Sequence, residues 1–302
     1  MIAADMQMAA PFPLLEVAVT PRTAGEHARL AAALLRVKAD DPAFDFATDR
    51  ESGQILLKGV SEEQLAAKLA LLRDGHDIVL APGPPQVIYR ETLARPASLT
   101  YVHKQAQGGA GAFAMVTVRF EPQASGFAFD DATTGQPIPR AFVAAVRRGI
   151  ERQSGTGPLA GYPLEGFKAI LLDGRYHEVD SNEATFEIAG AGAVRRLAEE
   201  GCLVLLEPVM RLDVRTPQDF LGGVIGDIHS RRGTIRETAS AASDEIVVAE
   251  VPLSCLFGYA QTLAAIAQGR ASHAATFLRH DRVPFVDDPD PRFPGAAAMR
   301  VA

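Results

Sequence analysis

Basic residues are too few in this chain to blanket a nucleic-acid backbone: 30 Lys and Arg stand against 37 Asp and Glu, for a formal net charge of -7. That argues against a generic polyanion binder, because sequence-independent phosphate binding rests on Lys and Arg neutralising the backbone, though it leaves room for a local footprint. Apolar runs are short, none approaching the roughly 20 residues of a membrane span, and the first residues lack the basic start and apolar core of a secretory signal. The sequence therefore predicts a cytoplasmic protein with no membrane partner. Cysteine is scarce: Cys202 and Cys255 each sit in an apolar segment and read as small buried hydrophobes, not as a disulfide or metal pair. The Gly-x-x-x-x-Gly-Lys-Ser/Thr run that cradles nucleotide phosphates is absent throughout.

What is present is ordinary globular material, 302 residues with 47% hydrophobic and 22% charged content, enough for two or three domains. The first segment reads β-α-β-β-α-β: a strand at Phe12 to Val19, an Ala- and Leu-rich amphipathic helix at Gly25 to Val37, and paired strands at Phe44 to Thr48 and Gln54 to Lys58. Ser61 then caps a second helix, and Asp77 to Leu80 supplies the last strand. This is the split βαβ order, an antiparallel sheet with both helices on one face. The last third repeats it. Leu203 to Arg215 is a long strand, Thr216-Pro217 an N-cap with a first-turn Pro, and Asp219 to Ser230 a helix stopped at Gly233. Thr234 to Glu237 and Glu245 to Val251 pair, Leu253 to Ala267 is a helix stopped at Gly269, and His273 to Arg279 closes the sheet. Phe220, Phe257 and Tyr259 fall at core spacing.

The middle is less regular, with strands at Thr117 to Glu121 and Phe167 to Leu172 and helices at Pro139 to Arg152 and Asn182 to Glu199. Gln107 to Gly111 (QGGAG) has no Lys, Ser or Thr after it and reads as a hairpin tip instead of a nucleotide site. The most telling stretch is Leu171 to Gly190. Here Asp173-Gly174 reads as a turn, Ser181 or Asn182 caps a helix, and Tyr176-His177-Glu178-Val179-Asp180 is held out between patterned flanks. The basic clusters Arg147, Arg148, Arg152; Arg195, Arg196; and Arg231, Arg232, Arg236 read individually as solvated helix faces. His103, Lys104, Arg147 and Arg148 are open between an RNA-facing patch and plain surface. His177, Glu178, Asp180 and Glu183 also admit an acid/base or metal cluster, although their spacing matches neither an H-E-x-x-H helix nor a twelve-residue calcium loop.

That loop, with GPLAGYP (Gly157 to Pro163), PPQVIYRETL (Pro84 to Leu93) and LEPVMRLDVRTPQDFLGGVIGDIHSRRG (Leu206 to Gly233), resembles the C-terminal half of bacterial elongation factor G or an elongation factor G-like translational GTPase. The resemblance implies an α+β chain in which two ferredoxin-like βαββαβ domains flank a middle domain similar to the ribosomal protein S5 domain 2-like fold. Residues 1–88 would correspond to domain III, 89–205 to domain IV, and 206–285 to domain V, with a disordered Pro-rich tail at 286–302.

The implied partners are the ribosome (small-subunit decoding region and large-subunit RNA), transfer RNA and the protein's own GTPase half. GTP and Mg are expected only in that half, with no cofactor, metal or catalytic residue in this chain. Carried over by position, the RNA or ribosome contacts would be Tyr176, His177, Glu178, Asp180 and Ser181 in one tip loop. Gly108 and Gly109 would lie in a second, Pro139 and Arg140 beside them, and Arg231 and Arg232 in the last domain.

The sequence also departs from the family. Ala110, Ala112 and Met115 stand where the family's glycine-rich loop carries an Arg, a Gln and a His. Val60-Ser61-Glu62-Glu63-Gln64-Leu65 replaces a His-containing motif after Gly59, and Gly269-Arg270-Ala271-Ser272 replaces Gly-Arg-Gly-Ser. Such changes suggest a divergent paralogue, so a non-translocating relative that protects or recycles ribosomes stays open beside a translocase.

Overall fold

The computed structural model describes residues 12–284 apart from 22–23, 49–52, 77, 108–109 and 242–243. The expected tail, and the glycines Gly108 and Gly109, therefore lie outside the described residues. The chain divides into two compact units, one formed by residues 1–88 and 207–281 and the other by residues 89–206 and 282–302.

The first unit holds two antiparallel four-stranded arrangements of one topology. In the first, β1 (Leu15–Pro21), α1 (Ala24–Asp40), β2 (Asp45–Thr48), β3 (Ile55–Gly59), α2 (Glu62–His76) and β4 (Leu80–Val87) give the order β2-β3-β1-β4. The start of α2 follows from local chemistry. Ser61 Oγ, at the N-cap, accepts the Gln64 N–H at 3.2 Å, and Gln64 Oε1 reaches back to accept the N–H of Val60, one residue before the cap, at 2.7 Å. The closing strand is not at Asp77 to Leu80 but one strand-length later, and it contains Pro82, Pro84 and Pro85. Its place at the sheet edge explains this: an edge strand needs no N–H on its outer side, so prolines that argue against an interior strand are tolerated there.

The second copy uses β10 (Leu203–Pro217), α5 (Leu221–Ser230), β11 (Thr234–Ala241), β12 (Asp244–Pro252), α6 (Tyr259–Ile266) and β13 (Ser272–Arg282), whose labels follow the middle strands given below, in the order β11-β12-β10-β13. Two details differ from expectation. Thr216 is a buried strand residue with no capping bond, and the chain enters α5 through a 3-10 turn at Gln218–Phe220. Leu253 to Ala267 is two pieces, a 3-10 turn at Leu253–Cys255 and then α6, because Gly258 breaks the helix with a left-handed φ of 69°.

On β12, Glu250 accepts Arg236 Nη2 at 2.7 Å and Arg279 Nη2 at 2.8 Å, and these bonds hold its carboxyl at about 2. A depressed carboxylate adds stability above its ordinary value and loses it as pH falls toward the folded value. Because both arginines are half exposed, the worth is discounted to about 1–2 kcal/mol. Denaturation midpoints should therefore fall between pH ~4.5 and ~2 in the wild type, and the Glu250→Gln variant should lose less over that range.

The second unit is the middle domain. β5 (Arg90–Leu93) pairs with Leu203 to Leu206 at the beginning of β10, so the two ends of the domain lie side by side. Between them, β6 (Ala97–Gln107), β7 (Ala110–Pro122), β8 (Phe127–Asp131) and β9 (Phe167–Arg175) form the sheet β6-β7-β9-β8. α3 (Arg140–Gly155) makes the crossover between the parallel strands β8 and β9, and α4 (Glu183–Glu199) runs beside it. Phe120, Phe167, Phe186, Val116 and Leu171 fill the layer between sheet and helices. The fold is α+β: two ferredoxin-like βαββαβ domains and an S5 domain 2-like middle domain.

Two strands run longer than the sequence patterns indicate. β7 is a full hairpin arm, and Asp173-Gly174 is not a turn but part of β9. The pairing skips Leu172, from Thr117↔Asp173 to Val118↔Leu171, so the Asp-Gly pair marks a β-bulge. Asp173 Oδ1 accepts the Gly174 N–H at 2.8 Å, and a Cβ at Gly174 would stand 3.0 Å from Ile138.

Candidate nucleic-acid interface

Three connections meet at one end of the middle sheet: the β6–β7 hairpin, the β8–α3 loop and the β9–α4 loop. In the hairpin, β6 and β7 are antiparallel neighbours whose register runs from Ala97↔Phe120 to Gln107↔Ala110. That geometry does not fit a nucleotide phosphate cradle, which needs a strand feeding a helix N-terminus.

The 176–181 loop is docked, not dangling. Phe113 N–H donates to the Asp180 carbonyl at 2.9 Å, and Ser181 Oγ donates to the Phe113 carbonyl at 2.6 Å while accepting the His177 N–H at 2.8 Å. Ser181 thus ties the loop to β7, and the capping role belongs to Asn182. Its Oδ1 accepts the Thr185 N–H at 2.9 Å, and Thr185 Oγ1 accepts the Asn182 N–H at 3.0 Å. Asp180 packs on Gly111, where a Cβ would approach its carboxylate to 2.6 Å. Glycine at 111 therefore makes room for Asp180.

His177 Nδ1 lies 3.1 Å from Asp180 Oδ2 and 3.4 Å from the Val179 N–H. A ring with its proton on Nδ1 donates to Asp180, whereas a ring with bare Nδ1 accepts from Val179, so the two hydrogen bonds are alternatives. Val179 at the apex is 84% exposed, and Tyr176, Glu178 and His177 are exposed with it. The apex offers one ring, one imidazole and one carboxylate to a partner with no enclosing wall.

The β8–α3 loop joins this surface through aromatic packing. Phe142, in the first turn of α3, meets the Tyr176 ring edge-on at 6.0 Å and stacks on Phe186 at 4.6 Å. Pro139, at the N-cap, and Arg140, the first residue of α3, are both exposed beside it. Tyr176, His177, Glu178, Asp180, Ser181, Pro139 and Arg140 therefore share one end of one domain. Phe113 and Phe142, which hold these loops, escaped sequence reasoning because their roles depend on partners about 30 to 70 residues away.

Arg231 and Arg232 belong to the first unit and are engaged within it. Arg231 donates to Asp227 at 2.8 Å, to the Cys255 carbonyl at 2.7 Å and to Thr262 at 3.0 Å, and lies 5.2 Å over the Tyr259 ring. Its guanidinium is a structural bolt at the end of α5. Arg232, at a left-handed φ of 62°, donates to buried Glu207 at 2.5 Å and keeps part of its side chain in solvent. Cys202 is buried, while Cys255 is only half-buried; both are free thiols. Among the described residues no group of three or more His, Cys, Asp or Glu side chains could hold a metal ion, and no helix is long and apolar enough to cross a membrane.

Paired βαββαβ domains and a middle domain ending in a docked, exposed tip define a multidomain α+β protein. Family models identify each part: "Elongation Factor G, domain III" matches residues 10–83, "Elongation factor G, domain IV" residues 85–201, and "Elongation factor G C-terminus" residues 204–288. The elongation factor G of Ehrlichia chaffeensis is 39% identical over 92% of this chain and 41% of its own length; that of Anaplasma phagocytophilum is 41% identical over 91% and 40%. A crystal structure of a Thermus thermophilus protein superposes with a TM-score of 0.69 at 35% identity, over 92% of this chain and 42% of that one. The chain belongs to the elongation factor G family and carries its domains III, IV and C-terminal domain. It spans about 41% of the length of the relatives it matches.

Proposed function

We propose that this chain is the ribosome-engaging part of an elongation factor G-like translation factor, assisting GTP-driven movement of transfer RNA and messenger RNA. The observation that carries the reading is the tip, three connections drawn to one end of the middle domain with His177 and Tyr176 exposed on a loop pinned to β7. A rigid, polar, ring-bearing projection suits RNA, which is recognised by shape, stacking and the 2′-hydroxyl more than by charge alone. Partners in this reading are the small-subunit decoding region, large-subunit RNA, transfer RNA and a GTPase domain that supplies GTP and Mg, and the setting is the cytoplasm. In this reading GTP acts only in that GTPase domain, and purified chain is expected to show no GTP turnover.

The reading is tested in the parent protein. Replacing His177 and Asp180 together by alanine should lower ribosome-dependent translocation by at least tenfold while leaving ribosome-independent GTP binding intact. Unchanged translocation rules it out. A second reading, a paralogue that protects or recycles ribosomes, is favoured by Ala110, Ala112 and Met115 along the hairpin. Polypeptide synthesis with and without tetracycline separates the two.

A further inference from the structure

The two βαββαβ arrangements of the first unit meet at a charged group. Glu62, the first residue of α2, extends its carboxylate to the other copy, where Oε2 accepts the Gly258 N–H at 3.0 Å across 196 positions of sequence. Gly258 is the N-cap of α6 and sits at a left-handed φ of 69°, a conformation that favours glycine and leaves the cap with no polar side chain of its own. An acceptor for its N–H must therefore come from elsewhere in the fold. Glu62 supplies it, and its charge stands at the start of two helices at once, its own and α6, where the helix dipole favours an anion.

The turn that receives Glu62 is braced within its own copy. Arg231 donates to the carbonyls of Cys255 at 2.7 Å and Phe257 at 3.5 Å and to Thr262 Oγ1 at 3.0 Å, which holds residues 255–258 as a platform. Around the Glu62 bond, packing is incomplete: a cavity of about 40 Å³ lies between Val60 and Glu63 of one copy and Met210, Leu253 and Phe257 of the other. Where side chains do not interlock across a boundary, its angle is left to the directional contacts that cross it. A second contact is aromatic. Phe12, just ahead of β1, meets the Phe277 ring edge-on at 5.2 Å and lies parallel to the His280 ring at 5.8 Å, both on β13. That contact keeps the copies together when the carboxylate is removed.

Glu62 belongs to the Val60 to Leu65 stretch that stands in place of the family's His-containing motif, so the bond is made by a segment in which this chain departs from its relatives. We propose that Glu62 is a latch: its carboxylate fixes the orientation of the first βαββαβ arrangement on the second, and breaking the bond lets the two copies turn about the cavity while each stays folded. The latch is independent of what the tip binds.

The test uses the full 302-residue chain with Cys255 replaced by serine and spin labels on Ala67→Cys in α2 and Ala265→Cys in α6, both exposed positions. Pulsed electron resonance measures the label separation, and NMR measures exchange of the Gly258 amide hydrogen. Glu62→Lys, which removes the acceptor and sets a cation against both helix starts, should speed Gly258 exchange by at least tenfold and shift or broaden the label separation. Glu62→Gln, which keeps an acceptor and drops the charge, should move both measurements the same way by less, and it serves if the lysine variant does not fold. Glu63→Lys makes the same charge change one residue on, at an exposed position, and should leave both at wild-type values. Unchanged exchange and separation in Glu62→Lys overturn the latch. Faster exchange with an unchanged separation also overturns it, by reducing the bond to a local cap, and so does an equal response in Glu63→Lys, which traces the effect to charge at the start of α2.

Discussion

Replacing Glu91 by alanine is expected to destabilise the protein by about 3–5 kcal/mol, because three part-buried backbone donors then lose their acceptor and a buried side chain is deleted. Glu91, on β5, is completely buried, and among the described residues no cation pairs with it. Its carboxylate is held by backbone instead: Oε1 accepts the Ala160 N–H at 2.7 Å and the Tyr162 N–H at 3.3 Å, and Oε2 accepts the Leu159 N–H at 3.0 Å. Gly157 completes the nest, since a Cβ there would stand 2.3 Å from the carboxylate. The GPLAGYP segment thus folds around one side chain, with its donors 68 to 71 positions downstream of Glu91.

Burial pushes the Glu91 carboxyl above its ordinary value against the opposing pull of those N–H bonds. A raised carboxyl contributes most below its unfolded value and less as pH rises through the folded one. Glu91→Gln keeps one acceptor but sets an amide N–H₂ against the Leu159 N–H, at a cost of about 1–3 kcal/mol. That cost should be larger at pH ~4.5 than at pH ~8. Urea denaturation of both variants at the two pH values, with hydrogen exchange at Leu159, Ala160 and Tyr162, measures the effect.

The architecture was legible in the sequence where periodicity and punctuation agreed. Both βαββαβ orders followed from alternating strands and capped helices, and the α4 start was visible as a capping residue before Glu183. Failures came where one residue type serves two purposes. Prolines 82, 84 and 85 hid an edge strand, Asp173-Gly174 signalled a bulge in the guise of a turn, and Gly258 broke a helix that its apolar pattern made continuous. At the candidate site, exposure of the 176–180 loop was readable from composition. Its docking on Phe113, the clearance at Gly111 and the consumption of Arg231 by its own domain were not, because each depends on a contact distant in sequence.

Gly149→Ala and Gly190→Ala should each destabilise by about 2–3 kcal/mol, against the roughly 1 kcal/mol that helix propensity alone would return for glycine to alanine. α3 and α4 lie backbone against backbone at these positions. A Cβ on Gly149 would stand 2.0 Å from the Glu187 carbonyl oxygen, and one on Gly190 would stand 2.4 Å from that of Val146. Neither contact is with a movable side chain, so the helices must separate and the layer beneath, including Phe186 and Val194, must loosen. Because the two sites share one interface, their combined cost is not expected to be additive. Gly226→Ala is the internal contrast: it is in α5 with nothing within 4 Å of a built Cβ, and alanine there should stabilise by about 0.5–1 kcal/mol. Thermal and urea denaturation of the three single variants should show opposite signs for the two environments.

If the 176–181 loop meets ribosomal RNA, the apex residue Val179 is the most direct place from which to detect it. With half-buried Cys255 replaced by serine, a Val179→Cys chain carrying a tethered iron chelate would generate hydroxyl radicals within reach of the tip's partner. Strand cleavage in the small-subunit decoding region or the adjacent transfer RNA is the expected result. Cleavage confined to other ribosomal sites, or none when the chain is bound, would contradict it.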